Sequence, residues 1–254
     1  MPGTATPSHA PLELPSLNEI RSRTLEKFGK RPCLWQMHIC EAVLRGDRDV
    51  ISIAGTGMGK TLTFWMPLLF RPHGIQLVVT PLNILGQQNV QTLEQANIKA
   101  IFISAKTATE CNFQDIASFR YRVIVVNPEE LMRPGGGFEK LMQDKLFNDR
   151  LISIIVDEAH CISQWGSFRS EYRQIGRLRY IQRKQCPMLV TSATLSPTVI
   201  KDVKQMLKLR EENLVFSQCS IDRPNIRLAV RQIINPLKSF LDLKFLLCDW
   251  KIGD

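Results

Sequence analysis

Two short segments carry residue types that could handle a nucleoside triphosphate. Residues 54 to 61 read Ala-Gly-Thr-Gly-Met-Gly-Lys-Thr, and residues 157 to 160 read Asp-Glu-Ala-His. In the first, Gly55, Gly57 and Gly59 let the backbone bend until successive N–H groups face one anion. Ala54, Thr56 and Met58 complete the loop. Lys60 supplies a full positive charge for β- and γ-phosphates, and the Thr61 hydroxyl is a ligand for Mg²⁺. In the second, Asp157 is placed to hold Mg²⁺, often through water, and Glu158 to orient or deprotonate an attacking water. His160 would be the contact between this site and segments that move.

Both segments need positioning by strands. Val50-Ile51-Ser52-Ile53 precedes the loop, and Leu151 to Val156 precedes Asp157. Each is an apolar run suited to a buried parallel strand. Leu62-Thr63-Phe64-Trp65 then starts a helix whose N-terminus adds partial positive charge at the phosphates. A carboxylate at the C-terminal end of a parallel strand lies where ligands bind in open α/β sheets.

Strand candidates recur at 49–53, 75–80, 99–103, 122–127, 151–156 and 187–192. Helical patterns lie at about 60–70, 84–95, 138–147, 168–184 and 197–209, with another from Leu17 onwards. This alternation predicts an α/β fold with a mostly parallel sheet and helices on both faces. Pro134-Gly135-Gly136-Gly137 marks a break before a helix. Residues 1–16, rich in Pro, Ser, Thr and Ala, read as a disordered tail. Residues 17–230 read as the main domain. Residues 231–254 read as the start of a truncated second lobe or a linker, with Leu237 to Trp250 as one amphipathic helix.

The chain has 254 residues, 44% of them hydrophobic, with net charge +9 and a pI near 9.4. That balance favours a polyanionic partner, nucleic acid or a membrane surface. The seven cysteines form no C-x-x-C pair, so neither a zinc site nor a disulfide framework is indicated. Scattered single cysteines suit a reducing compartment. The first 20 residues lack a signal-peptide pattern. Residues 74–93 are uncharged but carry Gln76, Pro81, Asn83 and further glutamines, so they do not read as a membrane span.

On these and further segments the chain resembles the first, RecA-like lobe of superfamily 2 helicases, and most specifically of RecQ-type DNA helicases. Ala54 stands where the loop pattern usually has Gly, a variant common in helicase-type ATPases. Val78-Val79-Thr80-Pro81-Leu82 and Val126-Asn127-Pro128-Glu129-Glu130-Leu131 are similar to motifs that grip single-strand backbone. The resemblance thus implies nucleic-acid contacts at Thr80, Pro81, Pro128 and Glu129. Thr191-Ser192-Ala193-Thr194 is similar to the motif coupling hydrolysis to strand movement, which implicates Ser192, Ala193 and Thr194. Asp222-Arg223-Pro224-Asn225-Ile226 resembles the segment leading into a second lobe. Cys161-Ile162-Ser163-Gln164-Trp165-Gly166 resembles the aromatic-rich loop that senses DNA. There Trp165 and Phe168 offer faces for base stacking and Arg169 a charge for a phosphate. That loop is one residue shorter than the family pattern between Gly166 and Phe168. Phe28-Gly29 and Gln36 resemble the segment that reads adenine, since a glutamine amide can pair with both N6 and N7. Cys33 stands where the family usually has Arg, with Arg31 nearby.

The resemblance implies an ATP-dependent 3′-to-5′ DNA helicase. Its partners would be ATP, Mg²⁺ and single-stranded or tailed duplex DNA, with no membrane, and its location the nucleus in a eukaryote or otherwise the cytoplasm. Two other readings stand beside it: a one-lobe ATP- and nucleic-acid-binding module that does not unwind, and an RNA helicase lobe. The segments at 161–166 and 222–226 argue against the last. Arg169, Arg173 and Arg177, extended by Arg179, Arg183 and Lys184, read either as a phosphate-tracking stripe or as a solvated helix face.

Overall fold

Six apolar runs and one short edge segment become the strands of one parallel sheet. They are β1 (Val50–Ile53), β2 (Ile75–Val79), β3 (Ala100–Ile103), β4 (Val123–Val126), β5 (Leu151–Val156), β6 (Met188–Ser192) and β7 (Val215–Gln218). The order across the sheet is β3-β4-β2-β5-β6-β1-β7, and every pairing is parallel. The structure is a computed structural model that describes residues 13–164, 170–182, 184–220, 222 and 225–246. Trp165, Phe168, Arg169, Arg183, Arg223 and Pro224 therefore lie outside the described residues, as do residues 1–12 of the expected tail.

The helices are α1 (Leu17–Phe28), α2 (Leu34–Arg45), α3 (Lys60–Trp65), α4 (Asn83–Gln95), α5 (Glu110–Ala117), α6 (Pro128–Leu131), α7 (Gly137–Gln143), α8 (Lys145–Arg150), α9 (His160–Gln164), α10 (Ser170–Gln174), α11 (Leu178–Ile181) and α12 (Pro197–Leu207). Strand residues alternate between two cores, as the pleat requires. Val50, Val78, Ile155 and Leu189 pack with Ile39 and Val43 of α2, Phe64 and Trp65 of α3, and Leu93 of α4. Ile51, Leu77, Ile154 and Val190 face the other way, onto Phe138, Phe147, Tyr172 and Val203. Both faces are covered, which is why the strands read as continuous apolar runs.

Several expectations change: α5 falls in a stretch with no expected helix, and the helix expected over 138–147 is split at Asp144 into α7 and α8. The strand β7 was not foreseen: it is four residues long, lies at the sheet edge and alternates half-buried with exposed positions. The helix expected over 168–184 is broken. Its described part is α10, a 3₁₀ turn at Ile175–Arg177, and α11. At Gly176 a Cβ would collide with the Met206 carbonyl of α12, so only glycine allows this close approach. The helix expected over 237–250 is, in its described part, two 3₁₀ turns at Leu237–Ser239 and Leu241–Leu246.

The chain divides into two compact units, Met1–Ile221 and Asp222–Asp254. Within the second, the Asp242 carboxylate accepts from the backbone N–H groups of Ile234 (3.2 Å) and Asn235 (2.9 Å). The Arg231 guanidinium lies 3.9 Å from the centre of the Phe245 ring.

One buried knot ties the strand starts of the first unit together. Asp49, fully buried just before β1, accepts from Arg179 Nη2 at 2.6 Å and Arg210 Nη2 at 3.0 Å. It also accepts from the backbone N–H groups of Met188 and Arg210, each at 2.8 Å. Arg179 is itself buried, so it is a structural cation and not part of an arginine stripe, whereas Arg173 and Arg177 are exposed.

Candidate nucleotide site

The loop from Ala54 to Thr61 leaves the C-terminal end of β1 and opens α3 at Lys60. Gly57 and Gly59 take φ of 82° and 81°, the left-handed region that a side chain would strain. Its entry is fixed by Ala54 N–H donating to Ser192 O at 3.2 Å. Lys60 Nζ donates to the Ala54 carbonyl at 2.8 Å, so the ammonium lies folded against its own loop.

Two strands away in the sheet, β5 delivers Asp157. Its backbone N–H donates to Val79 O at 2.9 Å, which extends the β2–β5 ladder. Its Oδ1 accepts from Thr191 Oγ1 at 2.8 Å and from Glu158 N–H at 2.9 Å. Burial pushes the Asp157 carboxyl above the usual carboxylate range, Glu158 adds to the rise, and Thr191 and Lys60 oppose it. Glu158 has φ of 50°, an uncommon backbone state for a residue with a side chain. Strain at a strand end beside a phosphate loop is where a functional constraint is expected.

The three-residue step from Asp157 to His160 joins this strand end to the end of β6. His160 Nδ1 lies 3.0 Å from Ser192 Oγ and 3.2 Å from Glu158 Oε2, with roles set by the tautomer. Ser192 Oγ donates to Thr194 O at 3.1 Å, and Ala159 N–H donates to Thr191 O at 2.9 Å. The structure therefore brings Lys60, Asp157, Glu158, His160, Ser192 and Thr194 to one edge of the sheet, with Ala193 between the last two.

A cleft of about 810 Å³ opens over the loop, lined by Lys60, Thr61, Asp157 and Glu158. Its walls are Lys27, Phe28, Lys30, Arg31 and Cys33 on one side and the α4 face with Gln88, Asn89 and Thr92 on the other. That size holds a nucleotide. The donor set also fits a hard divalent cation. The Thr61 hydroxyl and the Asp157 carboxylate are both oxygen ligands on the cleft wall. A cation there would offset the burial that Asp157 suffers.

Gln36 is buried, not a surface glutamine. Its Oε1 accepts from Cys33 N–H at 2.7 Å, and its Nε2 donates to Gly59 O at 2.9 Å. The amide thus bridges the start of α2 to the phosphate loop. Composition alone gave no sign of this bridge. Thr191, the partner of Asp157, belongs to the Thr191–Thr194 segment, where the resemblance points to Ser192, Ala193 and Thr194 alone.

The expected nucleic-acid contacts fare differently. The side chains of Thr80, Pro81 and Pro128 are buried, and Glu129 is half-buried. Thr80 Oγ1 is enclosed with no hydrogen-bond partner among the described residues. A direct grip on a strand by the Thr80 hydroxyl is therefore not available in this conformation. The exposed groups nearby are Leu82, Asn83 and Ile84 at the start of α4. Among the described residues no helix is long and apolar enough to cross a membrane.

Comparison with known proteins agrees with this geometry. The DEAD/DEAH box helicase profile matches residues 34–203. The chain is 33% identical over 217 residues to the bifunctional 3′-5′ exonuclease/ATP-dependent helicase WRN of Mus musculus, covering 83% of this chain and 15% of that protein. It is 32% identical over 207 residues to the ATP-dependent DNA helicase RecQ of Haemophilus influenzae, covering 80% of this chain and 32% of that protein. The chain thus spans well under half the length of these relatives. Among solved structures, the DUF1998 helicase MrfA bound to DNA superposes with a TM-score of 0.61 at 16% identity, covering 85% of this chain and 29% of that one. This likeness supports the RecA-like fold. With a profile match over well over half of its residues, the chain belongs to the DEAD/DEAH box helicase family, whose domain binds ATP.

Proposed function

We propose that the chain is the ATP-binding lobe of a RecQ-like, ATP-dependent 3′-to-5′ DNA helicase, working on single-stranded or tailed duplex DNA. The observation that carries it is the hydrogen-bonded run from Asp157 through Glu158 and His160 to Ser192 and Thr194, to which the phosphate loop is joined by Ala54 N–H on Ser192 O. A group sensing the triphosphate would pull on the same side chains that join β5 to β6. The names of the similar proteins support DNA as the track, and the charge of +9 suits a polyanion.

In this reading Lys60 swings from the Ala54 carbonyl to the β- and γ-phosphates. Backbone N–H groups of residues 55–61 cradle the same oxygens. Thr61 and Asp157 would hold Mg²⁺, which supplies charge neutralisation at the phosphates. Glu158 orients the attacking water and takes its proton. His160 passes the state of the site to Ser192. Gln36 would have to release Cys33 N–H or Gly59 O to read adenine, so its geometry favours holding the loop. Trp165, Phe168 and Arg169 are proposed to meet the DNA. Residues 17–230 would form the ATP-binding domain and 231–254 the beginning of the connection to a second lobe. The nucleus is the proposed location in a eukaryotic cell.

Fluorescence anisotropy with labelled single strands of DNA and RNA of one sequence tests the proposal. DNA should bind more tightly in the presence of a non-hydrolysable ATP analogue, with affinity falling steeply as salt rises. Tighter binding of RNA would transfer the lobe to the RNA-helicase reading.

A further inference from the structure

Two thiols flank the phosphate loop, and no part of the proposed ATP chemistry uses them. Cys33 is exposed, sits at the N-cap of α2 and lines the cleft. Cys219 is half-buried and directly follows β7. The fold places them at the same end of the sheet. The helix α2 lies against β1 and β7, with its Ile39 and Val43 in one hydrophobic cluster with Val50 of β1 and the partly buried Val215 of β7. A short turn at its C-terminus feeds β1, so α2 runs back over β1 and β7, against the strand direction. Its N-terminus is therefore over the C-terminal ends of both strands. Cys219 marks that end, since its N–H donates to Ile53 O at 2.8 Å. Gln36 marks it too, through Gly59 O. Burial pushes the Cys219 thiol up, and its electrostatic coupling to Cys33 adds to the rise.

We propose that Cys33 and Cys219 form a reversible redox pair, a modification site for a small anionic disulfide such as oxidised glutathione, which staples the α2 side of the nucleotide cleft. This rests on the nucleotide reading of the cleft. The exposed Cys33 is the attacking group, and Lys27, Lys30 and Arg31 on the same wall attract the carboxylates of the tripeptide. The Cys33 thiolate attacks one sulfur of the glutathione disulfide. The S–S bond breaks, and one glutathione thiolate leaves and takes up the proton that Cys33 lost. The Cys219 thiolate then attacks the Cys33 sulfur of the mixed disulfide. The second glutathione thiolate leaves with the proton from Cys219. The protein loses two electrons and two protons, and one disulfide becomes two thiols.

The staple would act on two anchors of the loop at once. Cys33 holds Gln36, which holds Gly59 near the loop's end. Cys219 holds Ile53, immediately before its first residue. Cys219 also lies two residues before the division between the two compact units at Ile221. Joining the two would resist parting of the α2 wall from the sheet, and nucleotide entry and release would slow.

The test treats the full 254-residue chain with oxidised glutathione and maps unreduced peptides by mass spectrometry. Exposed Cys111, outside the cleft, reports that the reagent reached the protein. A Cys33–Cys219 linked peptide that dithiothreitol removes is the expected result, and it is read without any nucleotide. Glutathione on Cys111 with no Cys33–Cys219 link would overturn the proposal, as would a link from either thiol to Cys248 instead. Stopped-flow release of a fluorescent ATP analogue gives the second readout. Release should slow in the oxidised wild type, recover with dithiothreitol, and stay at the reduced rate in Cys219→Ser. Equal release from the linked and reduced forms would show that the pair does not govern the cleft. Failure of the analogue to bind at all would strike the nucleotide reading, leaving the peptide map to decide the pair.

Discussion

At the scale of single residues, the side chains that matter do so through partners the sequence does not display. Glu158 is an example. Its backbone has a φ of 50°, and its carboxylate lies 3.2 Å from His160 Nδ1. Glu158→Gln keeps the size and removes the base. Phosphate release in the presence of single-stranded DNA should fall by about 10²–10⁴, the usual range for a general base, while ATP binding persists. Unchanged turnover would move the water-activating role elsewhere. Gln36 makes a different case. With its amide bridging Cys33 N–H and Gly59 O, Gln36→Ala should weaken ATP and GTP alike, by about 0.5–1.5 kcal/mol for the lost hydrogen bonding. A competition assay reads the ratio. A ratio that narrows would restore adenine reading to Gln36. Lys60, Asp157 and Glu158 were legible because phosphate and metal chemistry demand those types at fixed spacing. The Gln36 bridge was not, because nothing local to residue 36 announces Gly59 as its partner.

At the scale of elements, six of the seven strands were legible because burial on both faces leaves an uninterrupted apolar run. The edge strand β7 escaped because Val215-Phe216-Ser217-Gln218 is short and half-exposed. The break between α10 and α11 escaped because its cause, the Met206 carbonyl against Gly176, is a contact across thirty residues of chain. The same holds for Asp49, whose partners Arg179, Met188 and Arg210 lie far along the sequence. Burial alone would raise the Asp49 carboxyl. The side chain of Arg210, the charge of Arg179 and the N–H groups of Arg210 and Met188 outweigh it and hold the carboxyl below the usual range. Its contribution to stability is thus present above the ordinary aspartate value and is lost as pH falls through the lowered one. Asp49→Ala leaves the Arg179 guanidinium buried without its counter-charge and should cost about 3–5 kcal/mol. Urea denaturation at neutral pH measures this. A loss under 1 kcal/mol would show that the knot is not needed.

At the scale of the whole molecule, the described residues line a cleft over the phosphate loop, with Lys27 and Cys33, Gln88 and Thr92, and Asp157 and Glu158 among them. Related NTPases gain about 10³–10⁵ in rate from an arginine finger on the facing side, and the one arginine among the described residues lining this cleft, Arg31, lies just before α2 with Lys30 and Cys33. The isolated chain should therefore hydrolyse ATP slowly and not displace a strand from a 3′-tailed duplex. Robust ATP-dependent displacement by the purified chain would refute that expectation. The central claim is narrower: the loop from Ala54 to Thr61 and the cleft above it take ATP. Isothermal titration of the chain with ATP in Mg²⁺, wild type beside Lys60→Ala, tests it most directly. Saturable binding by the wild type that is lost or strongly weakened in Lys60→Ala is the predicted result. Equal binding by both proteins, or none by the folded wild type, would contradict it.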